Sequence, residues 1–222
     1  MVYYPVFLKM DGVVVLVVGG GRVSERKVET LIECGASVRI VARELTHRLR
    51  ALVEGGFILW IGQEYEELHL DGVALVFSAT NDSRLNHKVS QGAIRRGILV
   101  NAVDQPEDCS FIVPSIVRRK DLTIAISTSG KSPALAKAIR RQLEHQFGKE
   151  YEAFLDLMGR LRKEVLSAGF SQEENSRIFH NIVDSDILKA LAEYDWQSVE
   201  AELRRILPPT LDLKHLLSKE KL

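Results

Sequence analysis

Val13-Val14-Val15-Leu16-Val17-Val18-Gly19-Gly20-Gly21-Arg22-Val23-Ser24 is the stretch on which the fold turns. Six consecutive apolar residues, five of them β-branched, fit a strand buried on both faces, the environment of a central parallel sheet. The run enters three glycines directly, and an amphipathic pattern follows at Val23, Val28, Leu31 and Ile32. A strand, a glycine-rich turn and a helix in that order match the dinucleotide-binding fingerprint, here as G-x-G-x-x-S. Gly19 permits the tight turn, and Gly21 lets the backbone come close to a pyrophosphate. The helix start supplies free N–H groups and the positive end of its dipole. Gly19, Gly20, Gly21, Arg22 and Val23 are therefore candidate cofactor-binding residues, and Ser24 is small enough to stand in for the third glycine.

Outward from this loop, apolar runs at Ser37–Ala42, Phe57–Ile61, Val73–Ala79 and Ile98–Ala102 read as further strands. Helical patterns separate several of them: Leu45, Leu49, Leu52 and Val53 after the second strand, and Leu85, Val89, Ala93 and Ile94 after the fourth. Such alternation predicts an α/β Rossmann domain with a parallel sheet. Cys109–Pro114 and Asp121–Ser127 read as strands without an intervening helix, hence a small second sheet or an extension. A helix follows Pro133, with Leu135, Ile139 and Leu143 on one face. From Tyr151 the chain reads as helical, broken at Gly169 and at Pro208-Pro209. The expected domains are a Rossmann domain over 1–112, a small α+β dimerisation region over 113–149 and a helical C-terminal domain over 150–222.

Bulk composition narrows the function classes. Thirty Lys and Arg balance thirty Asp and Glu over 222 residues, so nothing in the net charge recommends a nucleic-acid partner. The longest apolar run, Val13–Val18, is far short of a membrane span, and Met1–Lys9 lacks the pattern of a signal peptide. Two cysteines, Cys34 and Cys109, make neither a disulfide scaffold nor a C-x-x-C site, so a cytoplasmic location is expected. Six histidines without H-x-x-x-H or H-E-x-x-H spacing argue against a resident metal.

Other candidates lie at predicted carboxyl ends of strands, where open α/β sheets bind ligands. Arg43 suits a 2′-phosphate and would favour NADP, whereas Glu44 suits the ribose hydroxyls of NAD; the sequence leaves both open. Thr80 and Asn81 are placed to meet a nicotinamide, with helix capping by Asn81 or Asp82 as the alternative or companion role. Asp104 follows the fifth strand and either handles a proton or is an ordinary turn residue in Asp104-Gln105-Pro106-Glu107-Asp108. Ser127-Thr128-Ser129-Gly130-Lys131-Ser132-Pro133 joins a strand to a helix and offers hydroxyls, amides and an ammonium to an anion, besides capping that helix through Ser132 and Pro133. Arg118, Arg119, Lys120, Lys137, Arg140 and Arg141 form a basic cluster, of which one or two would serve a carboxylate-rich ligand.

Four segments together resemble the precorrin-2 dehydrogenase family, the module fused in some organisms into multifunctional sirohaem synthase. They are Tyr4-Pro5-Val6-Phe7-Leu8, the glycine loop, Val100-Asn101-Ala102-Val103-Asp104-Gln105-Pro106 through Ser110-Phe111-Ile112-Val113-Pro114, and Ala125-Ile126-Ser127 through Pro133. The resemblance covers roughly residues 1 to 145. It implies oxidation of precorrin-2 to sirohydrochlorin with NAD+ as hydride acceptor, in some members insertion of ferrous iron, and a homodimer joined through the central segment. It makes Asp104 the catalytic residue, adds Asn101 to the cofactor-binding set, and assigns Ser127, Thr128, Ser129, Lys131 and Ser132 to the tetrapyrrole. One departure stands out: Thr128 occupies a position where some sirohaem synthases carry a phosphorylatable serine. The competing reading is an NAD-binding sensing module without catalysis, which would account for residues 13–102 but has no need of Asp104 or of the Ser127–Pro133 loop. A second competitor, a dehydrogenase for a small substrate, follows from the fold alone and lacks an obvious catalytic His or Lys motif.

Overall fold

The computed structural model describes residues 3–212 and Leu217, and the chain forms two compact units, Met1–Val113 and Pro114–Leu222.

The first unit is a five-stranded parallel sheet of β1 (Val14–Val18), β2 (Ser37–Val41), β3 (Ile58–Gly62), β4 (Leu75–Ser78) and β5 (Leu99–Ala102), in the order β3-β2-β1-β4-β5. Every neighbouring pair is parallel, with Val17 opposite Ile40 on one side and Phe77 on the other. β1 is central, and its side chains alternate between two cores because successive residues of a strand point to opposite faces. Val15 and Val17 join Val28, Leu31, Ile40 and Leu49 on one face; Leu16 and Val18 join Leu70, Val76, Val89 and Val100 on the other. Burying each such side chain contributes roughly 1.5–3 kcal/mol, which is why an unbroken apolar run belongs at this place.

Three helices, α1 (Arg22–Glu33), α2 (His47–Glu54) and α3 (Ser83–Arg95), connect the strands. Leu45, grouped with the second helix on its spacing, lies before it: Thr46 caps α2 by accepting from the amide of Leu49, and buried Leu45 precedes the cap. Between β3 and β4 the chain makes a single 3-10 turn, Glu67–Leu70. One expected strand is absent. Cys109–Pro114 forms no ladder; the amide of Ser110 bonds the carbonyl of Val100, and the Ser110 hydroxyl takes the amide of Val100 (2.8 Å). Serine thus substitutes for a backbone ladder along β5, Phe111 stacks edge-on against Phe77 (5.5 Å), and Pro114 has no N–H with which to extend pairing.

In the second unit, β6 (Ser115–Arg119) and β7 (Leu122–Ile126) form an antiparallel hairpin closed by Lys120 and Asp121, with Lys120 at φ +47°. Helix α4 (Pro133–Gln146) packs on this hairpin. Helices α5 (Glu150–Ser167), α6 (Gln172–Val183), α7 (Ile187–Ala192) and α8 (Trp196–Ile206) then close a core of their own. Phe154, Leu157, Leu161 and Val165 recur at helical spacing on α5 and meet Ile178 and Ile182, Ile187 and Leu191, and Val199 and Leu203. The break after α5 falls at Gly169 (φ +76°), and Ser171 with Glu174 forms a reciprocal cap that starts α6. Those bonds hold the Glu174 carboxyl below its ordinary range.

Candidate functional site

The sheet order reverses at β1, so the crevice beyond the carboxyl ends of β1 and β4 is the expected ligand position. The three glycines there differ in what they do. Gly19 has φ +117°, and a methyl group on it would overlap the carbonyl of Ala79 at the end of β4. Gly20 lies so close to the chain after β2 that a methyl group would overlap the carbonyl of Glu44. Its own carbonyl accepts from the amide of Thr46 (3.0 Å), whose hydroxyl donates to Glu25 on α1 (2.5 Å). Gly21 faces open space: a methyl group on it would have nothing within 4 Å. It is also the N-cap of α1, and no side chain caps that helix. The amides of Arg22, Val23 and Ser24 consequently have no intrahelical acceptor, the first such bond running from Glu25 to the carbonyl of Gly21. An uncapped helix end beside a glycine with free space in front of it suits a pyrophosphate. The residues present fit a dinucleotide on this ground.

The other candidates of the first unit all stand on the same sheet edge. Arg43 and Glu44 follow β2; the Arg43 guanidinium donates to Glu64 (3.0 Å) at an exposed site, while the backbone of Glu44 walls the glycine loop. Thr80 is used internally: its hydroxyl donates to Asn86 (2.7 Å), which also accepts from Ser78 (2.8 Å) and from the amide of Thr80 (3.2 Å). Asp82, rather than Asn81, caps α3, accepting from the amides of Arg84 and Leu85, and this leaves Asn81 exposed beside the crevice. The amide of Asn101 points back into the fold, donating to the carbonyl of Phe111 (3.1 Å). Asp104 is exposed, one residue past an amide of Val103 that bonds Ser78, and its φ is +60°.

Three polar residues with no role legible in the sequence support this edge. Asn86 is the buried hub just described. Asp108 is buried and accepts from His87 Nδ1 (2.7 Å) and Gln105 Nε2 (3.1 Å). His87 and Asp108 lie 21 residues apart, with no motif spacing to connect them. Cys109 touches the amide and carbonyl of Ala102 (3.2 and 3.1 Å); burial pushes its thiol above the ordinary range, which keeps it a neutral donor. On α1, burial and the neighbouring Arg26 lower the pKa of Lys27, whose ammonium stands 5.3 Å from the centre of the Phe77 ring.

The Ser127–Pro133 loop belongs to the second unit and is mostly folded on itself. Ser127 Oγ accepts from the amide of Ser129, Thr128 Oγ1 from that of Ser132, and Ser132 caps α4 through the amide of Leu135. Ser129 (φ +51°) and Gly130 (φ +80°) are left-handed, and Lys131 is exposed. The basic cluster divides. Arg119 donates to the carbonyl of Glu144, Lys120 pairs with Asp156 (2.7 Å) and Arg140 with Glu144. Lys131, Lys137 and Arg141 are exposed and form no ion pair among the described residues. Among the described residues no three His, Cys, Asp or Glu side chains gather as a metal site, and no helix is long and apolar enough to cross a membrane.

Fold and loop together define an NAD(P)-binding protein of the Rossmann type. A family model described as NAD(P)-binding matches residues 6–115, and one described as the central region of a sirohaem biosynthesis protein matches residues 119–146. The sirohaem synthase of Photorhabdus laumondii is 36% identical over 207 residues, 93% of this chain and 44% of the relative. Sirohaem synthase 1 of Serratia proteamaculans is 43% identical over 165 residues, 74% of this chain and 35% of that protein. The solved structure of the precorrin-2 dehydrogenase SirC superimposes with a TM-score of 0.76 at 26% identity, covering 90% of this chain and all of the other. The chain belongs to the family formed by precorrin-2 dehydrogenases and the N-terminal modules of sirohaem synthases, and it spans less than half the length of the sirohaem synthases it matches.

Proposed function

We propose that the chain oxidises precorrin-2 to sirohydrochlorin with NAD+ as hydride acceptor. The observation that carries this reading is the shared sheet edge: an uncapped helix start fronted by Gly21, and at the end of β5 an exposed carboxylate, Asp104, fixed at φ +60°. NAD+, when bound, takes up a hydride. Gly19, Gly20, Gly21, Arg22 and Val23 would cradle the pyrophosphate and Asn81 would border the nicotinamide. Thr80 and Asn101 shape the crevice through the bonds they make inside the fold. Asp104 accepts the proton that leaves the macrocycle with the hydride, so that each oxidation releases one NADH and one proton.

Precorrin-2 is rich in carboxylates. In the second unit, Lys137 and Arg141, one helical turn apart on α4, together with Lys131 and the hydroxyls of Ser127, Thr128, Ser129 and Ser132, supply groups that complement it. Insertion of ferrous iron into the product, with release of two protons, is a second reaction for Asp104 as proton acceptor, iron entering as substrate. A homodimer is favoured by the second unit's surface: a two-stranded hairpin has free edges on both sides, and Leu135 on α4 is 52% exposed. The region over 113–149 would form that contact, with 1–112 as the nucleotide domain and 150–222 as a helical domain. Neither Cys34 nor Cys109 forms a disulfide among the described residues, in keeping with a cytoplasmic setting.

The test is anaerobic incubation with precorrin-2 and NAD+. NADH is expected in step with the sirohydrochlorin spectrum, and Asp104→Ala is expected to lower kcat at least 100-fold, in the range for losing an acid–base group, with NAD+ binding retained. Adding ferrous iron and following sirohaem absorbance decides the second reaction. A folded, NAD+-binding protein that reduces no nucleotide would leave a sensing module in its place.

A further inference from the structure

Asp108 is, among the described residues, the only buried residue with an ionisable carboxyl group. Burying a carboxylate is costly unless donors surround it, and here they do. His87 Nδ1 lies 2.7 Å from Oδ1, Gln105 Nε2 lies 3.1 Å from Oδ2, and the backbone carbonyl of Asp108 accepts from Ser90 Oγ at 2.6 Å. Gln105 Nε2 reaches the carbonyl of Ser83 as well (3.2 Å). Ser83, His87 and Ser90 stand at positions i, i+4 and i+7 of α3, one face of that helix, and all hold the segment after β5. Within that segment Asp104, directly before Gln105, sits at φ +60°, where a residue with a Cβ is strained and stays only if its surroundings hold it.

We propose that His87, acting through Asp108 and Gln105, is a positioning residue that latches the Asp104 loop onto α3. This rests on the assignment of Asp104 as proton acceptor. An Asp carboxylate only accepts, so Nδ1 carries the proton and Nε2 is free to face solvent from a side chain that is 59% exposed. The geometry makes the requirement specific to one nitrogen. An asparagine amide can take the place of Nδ1–H, whereas a glutamine amide reaches the place of Nε2 and leaves Asp108 short of a donor.

Four full-length variants test the latch: His87→Leu, His87→Asn, His87→Gln and Asp104→Ala. His87→Leu and His87→Gln are expected to lower kcat about tenfold with KM for NAD+ within twofold of the parent. They should also accelerate backbone hydrogen–deuterium exchange over residues 104–108 about tenfold, with exchange in β1 unchanged. His87→Asn is expected to restore both readouts to within threefold. Unaltered exchange over 104–108 in His87→Leu would overturn the proposal, as would an Asn variant no better than Leu, or an equal loss of NAD+ binding and of protection throughout the unit. Asp104→Ala separates the two ideas. If it turns over normally the catalytic assignment falls, and the latch is then decided by loop exchange and its rescue by asparagine.

Discussion

The protein contains two strand–loop–helix turns built to opposite specifications. At Gly19–Gly21 the loop is bare and α1 starts without a side-chain cap. At Ser127–Ser132 three hydroxyls accept backbone amides, Ser132 caps α4 and Pro133 occupies its first turn. The first turn leaves the start of α1 uncapped, and its shape comes from the close approach of Ala79 and Glu44 and from backbone bonds to the chain around β2, Gly19 to the carbonyl of Val41 and Thr46 to that of Gly20, with no side-chain bond within the loop. The second satisfies much of itself internally, so its shape is set by its own sequence, and what remains for a ligand is an ammonium at Lys131 and the hydroxyl protons.

The largest expected effects come from the glycine loop, and its second and third glycines should fail in different ways. Gly20→Ala drives a methyl group into the Glu44 carbonyl. Backbone on both sides of that clash leaves little room to relax, so thermal denaturation should report a loss of about 2–3 kcal/mol, and NAD+ binding should vanish with it. Gly21→Ala adds the same atom to open space at φ −85°. Its melting temperature should match the parent, while titration with NAD+ should give a Kd raised at least tenfold, about 1.4 kcal/mol. Equal behaviour of the two variants would erase the distinction between a wall glycine and a ligand-facing one.

In the serine loop, Ser132→Ala removes the cap of α4. A cost of about 1 kcal/mol is expected in urea denaturation, with NAD+ affinity unchanged because that cap lies outside the nucleotide loop. A change in NAD+ affinity instead would mean that the two turns are energetically coupled.

How far these features could be read beforehand depends on the range of the interaction. The parallel sheet was legible because each strand carries its own signature: Val13–Val18, Ser37–Ala42 and Ile98–Ala102 differ from the observed strands by one residue at an end. The cap roles of Ser132 and Pro133 were legible for the same reason, being local, and the cap of α3 was legible to within one residue, Asn81 or Asp82. Cys109–Pro114 misled because its apolar residues look like a strand, while its pairing with β5 runs through Ser110 and the Cys109 thiol rather than a ladder. The Asp108 cluster was illegible because its donors come from Gln105 beside it and from His87 and Ser90 on the preceding helix, residues whose own patterns announce only a turn and an amphipathic helix. Proximity of Gly20 to Glu44 was equally hidden, since nothing in either segment records how closely the chain after β2 passes the loop.

The smallest expected effect probes why the glycine fingerprint ends in serine. Ser24 is fully buried under the loop, and its hydroxyl has no hydrogen-bond partner among the described residues. A methyl group built on Gly19 would stand 3.1 Å from that oxygen, so the space around the side chain is tight. An unsatisfied buried hydroxyl contributes nothing to offset its desolvation, and replacing it with a smaller apolar group should be close to neutral or favourable. Ser24→Ala is therefore expected to shift stability by less than about 1 kcal/mol, in the stabilising direction, by thermal and urea denaturation. A loss of 1–3 kcal/mol would mean that the hydroxyl is satisfied in solution, by a bound water beneath the glycine loop, and would make the bare turn less bare than its geometry suggests.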